Sequence, residues 1–305
     1  MMDTRGVRAS DFMAIAALTL AGAGWCGAQS APTWPSAVAH AAQMAPEARI
    51  VILDIATGRL LAASHLQDDS RTLAAPGSTL KPLVLYGLIA SGRWDSARRI
   101  ACNRKLRIAG RSLNCSHPAA DPMDARQALA WSCNSYFAAV GGTLTPGELR
   151  SLLAPTGLLG QTGLATSEAT AEFREPHTPD ENRLALLGVD GIRVTPLELA
   201  LAYRWLALKL DSNTSGAQVV RAGLADSASF GIAGAAALGG VPVAGKTGTA
   251  NLGPGTPSHG WFAGLVPSDK PSAILVVYLP AGHGANAAQV AAELLAHSPL
   301  RQTRP

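Results

Sequence analysis

Apolar residues recur along the chain with two different periods, and the change between them divides the sequence. Arg49–Leu53 and Arg59–Ser64 are short apolar runs separated by Asp54-Ile55-Ala56-Thr57-Gly58, so this stretch predicts an antiparallel hairpin with glycine at the turn. From Gly77 the spacing becomes helical, with Leu80, Val84 and Leu88, and Leu85 and Ile89, recurring at i+4 until Ser91-Gly92 interrupts it. Helical spacing returns at 124–140, 146–154 and 196–208. The last begins with Thr195-Pro196-Leu197-Glu198, which combines an N-cap threonine, a proline at N1 and a glutamate at N3. Val241–Ala250, His259–Val266 and Ser272–Leu279 read as three further strands, with turns at Gly253-Pro254-Gly255 and Pro267-Ser268-Asp269. A final helix is expected over Ala287–Ala296. Strands thus come from both ends of the chain and helices from its middle. The expected class is α+β, an antiparallel sheet from about 46–75 and 217–305 with an all-helical lobe, about 76–216, inserted.

Composition narrows the picture. The 305 residues are 48% apolar and 15% charged, enough core material for one large globular domain. The net charge is +4, but the lysines and arginines are scattered and not gathered with aromatics, so nucleic acid is not an expected partner. Arg5 and Arg8 precede an apolar run, Phe12–Trp25, that is shorter than the ~20 residues of a membrane span and is followed by small residues near Ala28. Residues 1–28 therefore read as a signal peptide, with the mature domain running from Gln29 to Pro305 and exported to the periplasm or cell envelope. A retained anchor is the alternative.

Three short motifs carry candidate chemistry. In Ser78-Thr79-Leu80-Lys81, a serine at a helix start and a lysine three residues on share one helix face, so the amine can reach the hydroxyl. A serine hydroxyl is a weak nucleophile until a base takes its proton, and a lysine is such a base only where burial lowers its pKa. In Ser132-Cys133-Asn134, a second serine can relay a proton and an asparagine can pair with a substrate amide. In Lys246-Thr247-Gly248-Thr249, on a predicted strand, a lysine and a threonine can hold a carboxylate. Gly248 permits close backbone approach, and the Thr249 amide can join that of Ser78 as an oxyanion hole. Each motif alone is common; their order on helix start, loop and strand points to amide-acyl transfer through a serine ester.

Pro76–Pro82, Ser132–Asn134 and Ala244–Ala250 resemble the catalytic motifs of the penicillin-binding protein transpeptidases. Gly188–Ala202 and Trp261-Phe262-Ala263-Gly264 with Pro267 extend the resemblance over most of 48–296. It implies a β-lactamase/DD-transpeptidase-like fold, with a five-stranded antiparallel sheet and the active site between the lobes. It also implies Ser78 as nucleophile, Lys81 as base, Ser132 as proton relay, Asn134 as substrate contact, and Lys246, Thr247, Gly248 and Thr249 as the substrate-binding strand. Peptidoglycan stem peptides ending in D-Ala-D-Ala would be the substrates and β-lactams their mimics, with no cofactor and with a separate glycan polymerase as a candidate partner. Fewer than fifty residues precede the first strand, so a stand-alone catalytic domain is expected. A DD-carboxypeptidase and a β-lactamase of the same fold are the rival enzymes. Glu168-Ala169-Thr170-Ala171-Glu172 lacks the Glu-x-x-Leu-Asn pattern of one β-lactamase group, and Asn134 replaces the valine of another. A non-turnover β-lactam sensor is the rival from outside catalysis.

Cys102 and Cys115 flank a predicted hairpin centred on Ala109-Gly110, and a disulfide between them is one expectation for an exported chain. With His117 they make three candidate metal ligands without a fourth, so no metal is expected. Cys133 reads as a packed small side chain and His259 as a strand-edge residue.

Overall fold

The computed structural model describes residues 31–118, 121–251, 253 and 255–303; the expected signal segment, Cys26 and the expected cleavage point at Gln29 lie outside them. The described chain starts with α1 (Trp34–Met44), where the Thr33 hydroxyl accepts from Ser36 N and Ser36 Oγ accepts from Thr33 N. The hairpin β1 (Arg49–Asp54) and β2 (Leu60–Ala63) follows, then α2 (Leu66–Asp69), a 3-10 turn at Gly77–Leu80 and α3 (Lys81–Ala90). A small hairpin, β3 (Arg107–Ile108) and β4 (Arg111–Ser112), leads to α4 (Ala125–Ala130), α5 (Asn134–Gly141) and α6 (Glu148–Leu153). Next come β5 (Glu172–Phe173), α7 (Pro179–Leu186), β6 (Ile192–Arg193), α8 (Pro196–Leu210) and α9 (Ser215–Ser229). The chain returns to the sheet with β7 (Ala244–Ala250), β8 (His259–Val266) and β9 (Ala273–Leu279), then adds α10 (Gly284–Ala296).

The central sheet has five strands in the order β2-β1-β9-β8-β7, every pair antiparallel, as expected. Alternation along each strand feeds two cores. Val51, Leu53, Ile274, Val276 and Trp261 face the helices between the two sheet segments, including Tyr203 and Leu206 of α8. Ile50, Ile52, Leu275, Val277 and Phe262 face α1 and α10. Because both faces of β9 are covered, all seven of its residues are buried, and it reads as a continuous apolar run.

Several elements depart from the sequence pattern. The helical stretch at 124–140 is two helices, α4 and α5, broken at Trp131–Cys133. Helix α10 begins at Gly284, earlier than expected, because His283 and Asn286 form its capping box. Pro82 is undisturbing: the 3-10 turn ends at Leu80, so Pro82 falls in the first turn of α3, where an amide hydrogen has no helical partner. Helices α1 and α9 were not expected. Both are rich in small residues, alanine in α1 and Ala, Ser and Gly in α9, which weaken the hydrophobic period but allow close packing, as where Gly223 of α9 lies against Leu129 of α4.

One glycine contact sets the position of the 3-10 turn. Gly77 N donates to Gly188 O at 2.8 Å, and both residues hold a positive φ, +57° and +68°. A β-carbon on Gly188 would fall within 2.7 Å of the backbone N and C of Gly77, and closer still to its carbonyl oxygen. Gly188→Ala is therefore expected to destabilise the protein by about 1–3 kcal/mol. Gly160→Ala, where nothing lies within 4 Å, should stay within about 0.5 kcal/mol of wild type. Urea denaturation of the two variants checks this, and equal midpoints would contradict it.

Candidate active site

Ser78 sits in the 3-10 turn just before α3, not in the α-helix itself. The turn is fastened from three sides: Trp261 Nε1 donates to Ala75 O at 2.9 Å, Tyr203 Oη to Thr79 O at 2.9 Å, and Thr79 Oγ1 to Pro76 O at 2.8 Å. Its other neighbour is β7. A β-carbon on Gly77 would lie 2.8 Å from Thr249 N, and one on Gly248 would collide with Pro76 O. Glycine at both positions lets the backbone beside Ser78 touch the backbone of Thr249, as the Gly248 reading anticipated.

Lys81 opens α3 and is fully buried. Its Nζ donates to Asn134 Oδ1 at 2.7 Å, Ser132 O at 2.9 Å and Ser132 Oγ at 3.1 Å. The ammonium is thus tied to the second motif, with none of these bonds going to the Ser78 hydroxyl. Burial pushes the Lys81 pKa down to about 8, against the opposing pull of Cys115, Cys133 and Cys102. The acceptors converge because Ser132, between α4 and α5, adopts φ +56°, a left-handed conformation that costs a non-glycine residue about 1–3 kcal/mol. Asn134 is engaged at both ends of its amide, since Nδ2 donates to Leu113 O at 3.0 Å and Asn114 O at 3.4 Å.

Ser78, Ser132, Asn134, Thr247 and Thr249 line one cleft of about 430 Å³, so residues from the three motifs meet there. Leu113–Ser116, Val189, Ile232 and His283–Ala285 also line it. The sequence reading missed these residues; the only local signals were Gly188 and the small residues that begin α10. Lys246 is not on the cleft wall. It is fully buried on the face of β7 that meets the helical lobe, donates to Thr247 O at 3.0 Å, and is pushed well below the ordinary lysine range by burial and then by the charge of Lys81. Thr249 Oγ1 accepts from Gly284 N at 2.9 Å, tying β7 to the start of α10.

The expected Cys102–Cys115 disulfide is not formed. Both cysteines are free: their Sγ atoms stand 3.4 Å apart, well beyond the ~2.05 Å of an S–S bond, and the Cys102 sulfur also faces His117 Nε2 at 3.3 Å and Ser135 Oγ at 3.7 Å. Cys133 joins the same cluster. Glu168 is absorbed by its own loop: its oxygens accept from Thr162 N and Oγ1, both at 2.6 Å, and from the amides of Gly163, Leu164 and Ala165. His259 begins β8 with its ring edge-on to Tyr278, as a strand-edge residue would.

The family model for the penicillin binding protein transpeptidase domain matches residues 48–297. Solved structures agree on the fold. A peptidoglycan glycosyltransferase from Burkholderia ambifaria superposes with a TM-score of 0.73 at 19% identity, covering 88% of this chain and 92% of that one. The TP domain of Burkholderia pseudomallei penicillin-binding protein 3 gives 0.73 at 20% identity, covering 89% and 95%. A structure described as a peptidoglycan synthase complex coordinating polymerization and crosslinking gives 0.70 at 22% identity, covering 89% of this chain but 60% of that one. No curated protein matches the chain. The family match spans most of the sequence and includes all three motifs that meet at the cleft: the chain belongs to the penicillin-binding protein transpeptidases.

Proposed function

We propose that this protein is a serine-type DD-transpeptidase that cross-links peptidoglycan stem peptides through an acyl-enzyme on Ser78. The observation that carries the reading is the buried Lys81 amine, held by Ser132 and Asn134 in the cleft that Ser78 also lines. In this mechanism Ser78 Oγ attacks the carbonyl of the penultimate D-Ala while its proton passes to neutral Lys81. The C–N bond then breaks, the terminal D-Ala leaves as an amine that takes a proton through Ser132 Oγ, and an ester remains on Ser78. An amine of a neighbouring stem peptide resolves the ester; water in its place gives the carboxypeptidase outcome. The amides of Ser78 and Thr249, on backbones that touch through Gly77, are suited to stabilise the oxyanion. Thr247 offers its hydroxyl to the substrate carboxylate, and Lys246, donating to Thr247 O, steadies the backbone that presents it.

Export to the periplasm or cell envelope, by way of the 1–28 segment, belongs to the same proposal. Among the described residues no helix is long and apolar enough to cross a membrane. A separate glycan polymerase as partner fits a domain that carries cross-linking chemistry. The loop-bound Glu168 favours acyl transfer over β-lactam hydrolysis, because among the described residues that line the cleft there is then no carboxylate to activate a water at the ester.

Ser78→Ala should abolish labelling by a fluorescent penicillin, and full labelling of that variant would sink the assignment. Incubation of wild type with a D-Ala-D-Ala peptide and an amine acceptor, followed by mass spectrometry, should yield the cross-linked product together with free D-Ala.

Neutral Lys81 is the base, so the acylation rate constant should climb with pH up to about 8 and level off above it. A rate independent of pH between 6 and 9 would argue against that role.

The benzylpenicillin adduct on Ser78 should persist for many minutes in intact-mass spectra, equivalent to a deacylation barrier of roughly 22 kcal/mol. Fast hydrolysis of the drug without an accumulating adduct would favour the β-lactamase.

A further inference from the structure

Four side chains beside the cleft are the soft donors of a metal shell, and the mechanism uses none of them. Cys102, Cys115, His117 and Cys133 each offer one ligand atom, and all four atoms lie within 4.8 Å of one another. They come from three segments: the chain before the β3–β4 hairpin, the stretch just after it, and the turn between α4 and α5. The sequence reading stopped at three ligands because Cys133 belongs to the second motif, sixteen residues beyond His117, and only the fold brings it in.

The distances suit a single ion. Two sulfurs bound to tetrahedral zinc at about 2.3 Å stand about 3.8 Å apart. Here Cys102 Sγ lies 3.4 Å from Cys115 Sγ and 3.3 Å from His117 Nε2.

The surroundings are those of ligands, too. His117 Nδ1 is 2.6 Å from Pro118 O, which can only accept, so Nδ1 carries the hydrogen and the Nε2 lone pair faces the sulfurs. Backbone amides support the other donors: Asn134 N donates to Cys115 Sγ at 3.1 Å and Tyr136 N to Cys133 Sγ at 3.5 Å. Cys115, His117 and Cys133 are buried and Cys102 is partly exposed, which leaves an entry path.

We propose that Cys102, Cys115, His117 and Cys133 bind one Zn²⁺ in a closed Cys₃His shell that holds the Ser132–Asn134 turn against the cleft wall at Leu113–Ser116. Three thiolates and an imidazole select zinc over hard cations, and four protein ligands leave no open position, so the ion is structural. Its mechanical effect is on the active site. Cys133 is flanked by Ser132 and Asn134, the two residues that grip Lys81, and Cys115 accepts the Asn134 amide. The zinc thus acts as a clip that fixes a strained turn.

The test uses the full chain purified without chelator. Elemental analysis should find one zinc per chain, in wild type and in Ser78→Ala alike, so the result does not depend on the acyl-transfer reading. After chelation, added Co²⁺ should give the intense visible bands and thiolate charge-transfer absorption of a tetrahedral sulfur-rich site. Cys102→Ser and His117→Ala should lower zinc affinity by at least about tenfold in competition with a chromophoric chelator. Hydrogen exchange at the Asn134 and Tyr136 amides should accelerate when the metal is removed and slow again when it is restored. Substoichiometric zinc with no cobalt spectrum, or a Cys102–Cys115 disulfide in peptide maps of the purified protein, would overturn the site. Unchanged exchange at these amides would overturn the clip. Should either variant fail to fold, the wild-type metal content, cobalt spectrum and exchange rates still decide.

Discussion

A lysine amine sealed from solvent beneath the floor of a cleft is the constraint on which the rest of this site depends. A charge in that position costs several kcal/mol unless its donors are met, and three oxygens must therefore converge on Lys81 Nζ. Two of them belong to one residue, Ser132, whose carbonyl and hydroxyl reach the same nitrogen because its backbone is left-handed. The strained turn supplies the acceptors, while burial of the same amine lowers its pKa. Asn134 extends it outward, passing from Lys81 through its amide to the carbonyls of Leu113 and Asn114. Lys81, the second serine and one wall of the cleft thus form a single polar network.

The opposite wall is organised by contact without side chains. Gly77 and Gly248 allow the turn that carries Ser78 to press against β7, and Gly188 supports the turn from behind. Nothing in that junction can adjust by rotamer change, so the spacing between Ser78 and the Thr249 amide is set by backbone packing. Lys246 lies in the interior and not at the surface of the cleft, with its amine capped by the carbonyl of its own neighbour.

Much of this was legible in the sequence because it is local. The strands of the sheet appear as apolar runs between turn signals, and α8 announces itself with Thr195, Pro196 and Glu198, whose mutual capping is observed. The three motifs could be read as chemistry, and five of their residues, Ser78, Ser132, Asn134, Thr247 and Thr249, do line one cleft. What escaped were consequences of tertiary approach. Helix α9 hides behind small residues that serve close packing, and the break at 131–133 is imposed by the demand of a lysine on another helix. The engagement of Cys133 with Cys102, Cys115 and His117 exists only once the α4–α5 turn is folded against the hairpin. No spacing rule covers ligands drawn from three separate segments.

The sheet also bears on how such a chain acquires its structure. Strand β1 pairs on one side with β2, its neighbour in sequence, but on the other with β9, where Asp54 is in register with Ala273. Until β9 exists, the hairpin is a two-stranded ribbon with an open edge and two uncovered apolar faces, which is marginal in water. The intervening helices must stay available while the chain is completed, and closing this loop carries a high contact order. Folding is then expected to be slow and to be completed only after the last strand has emerged, with the unpaired β1 edge as the point where premature association would begin.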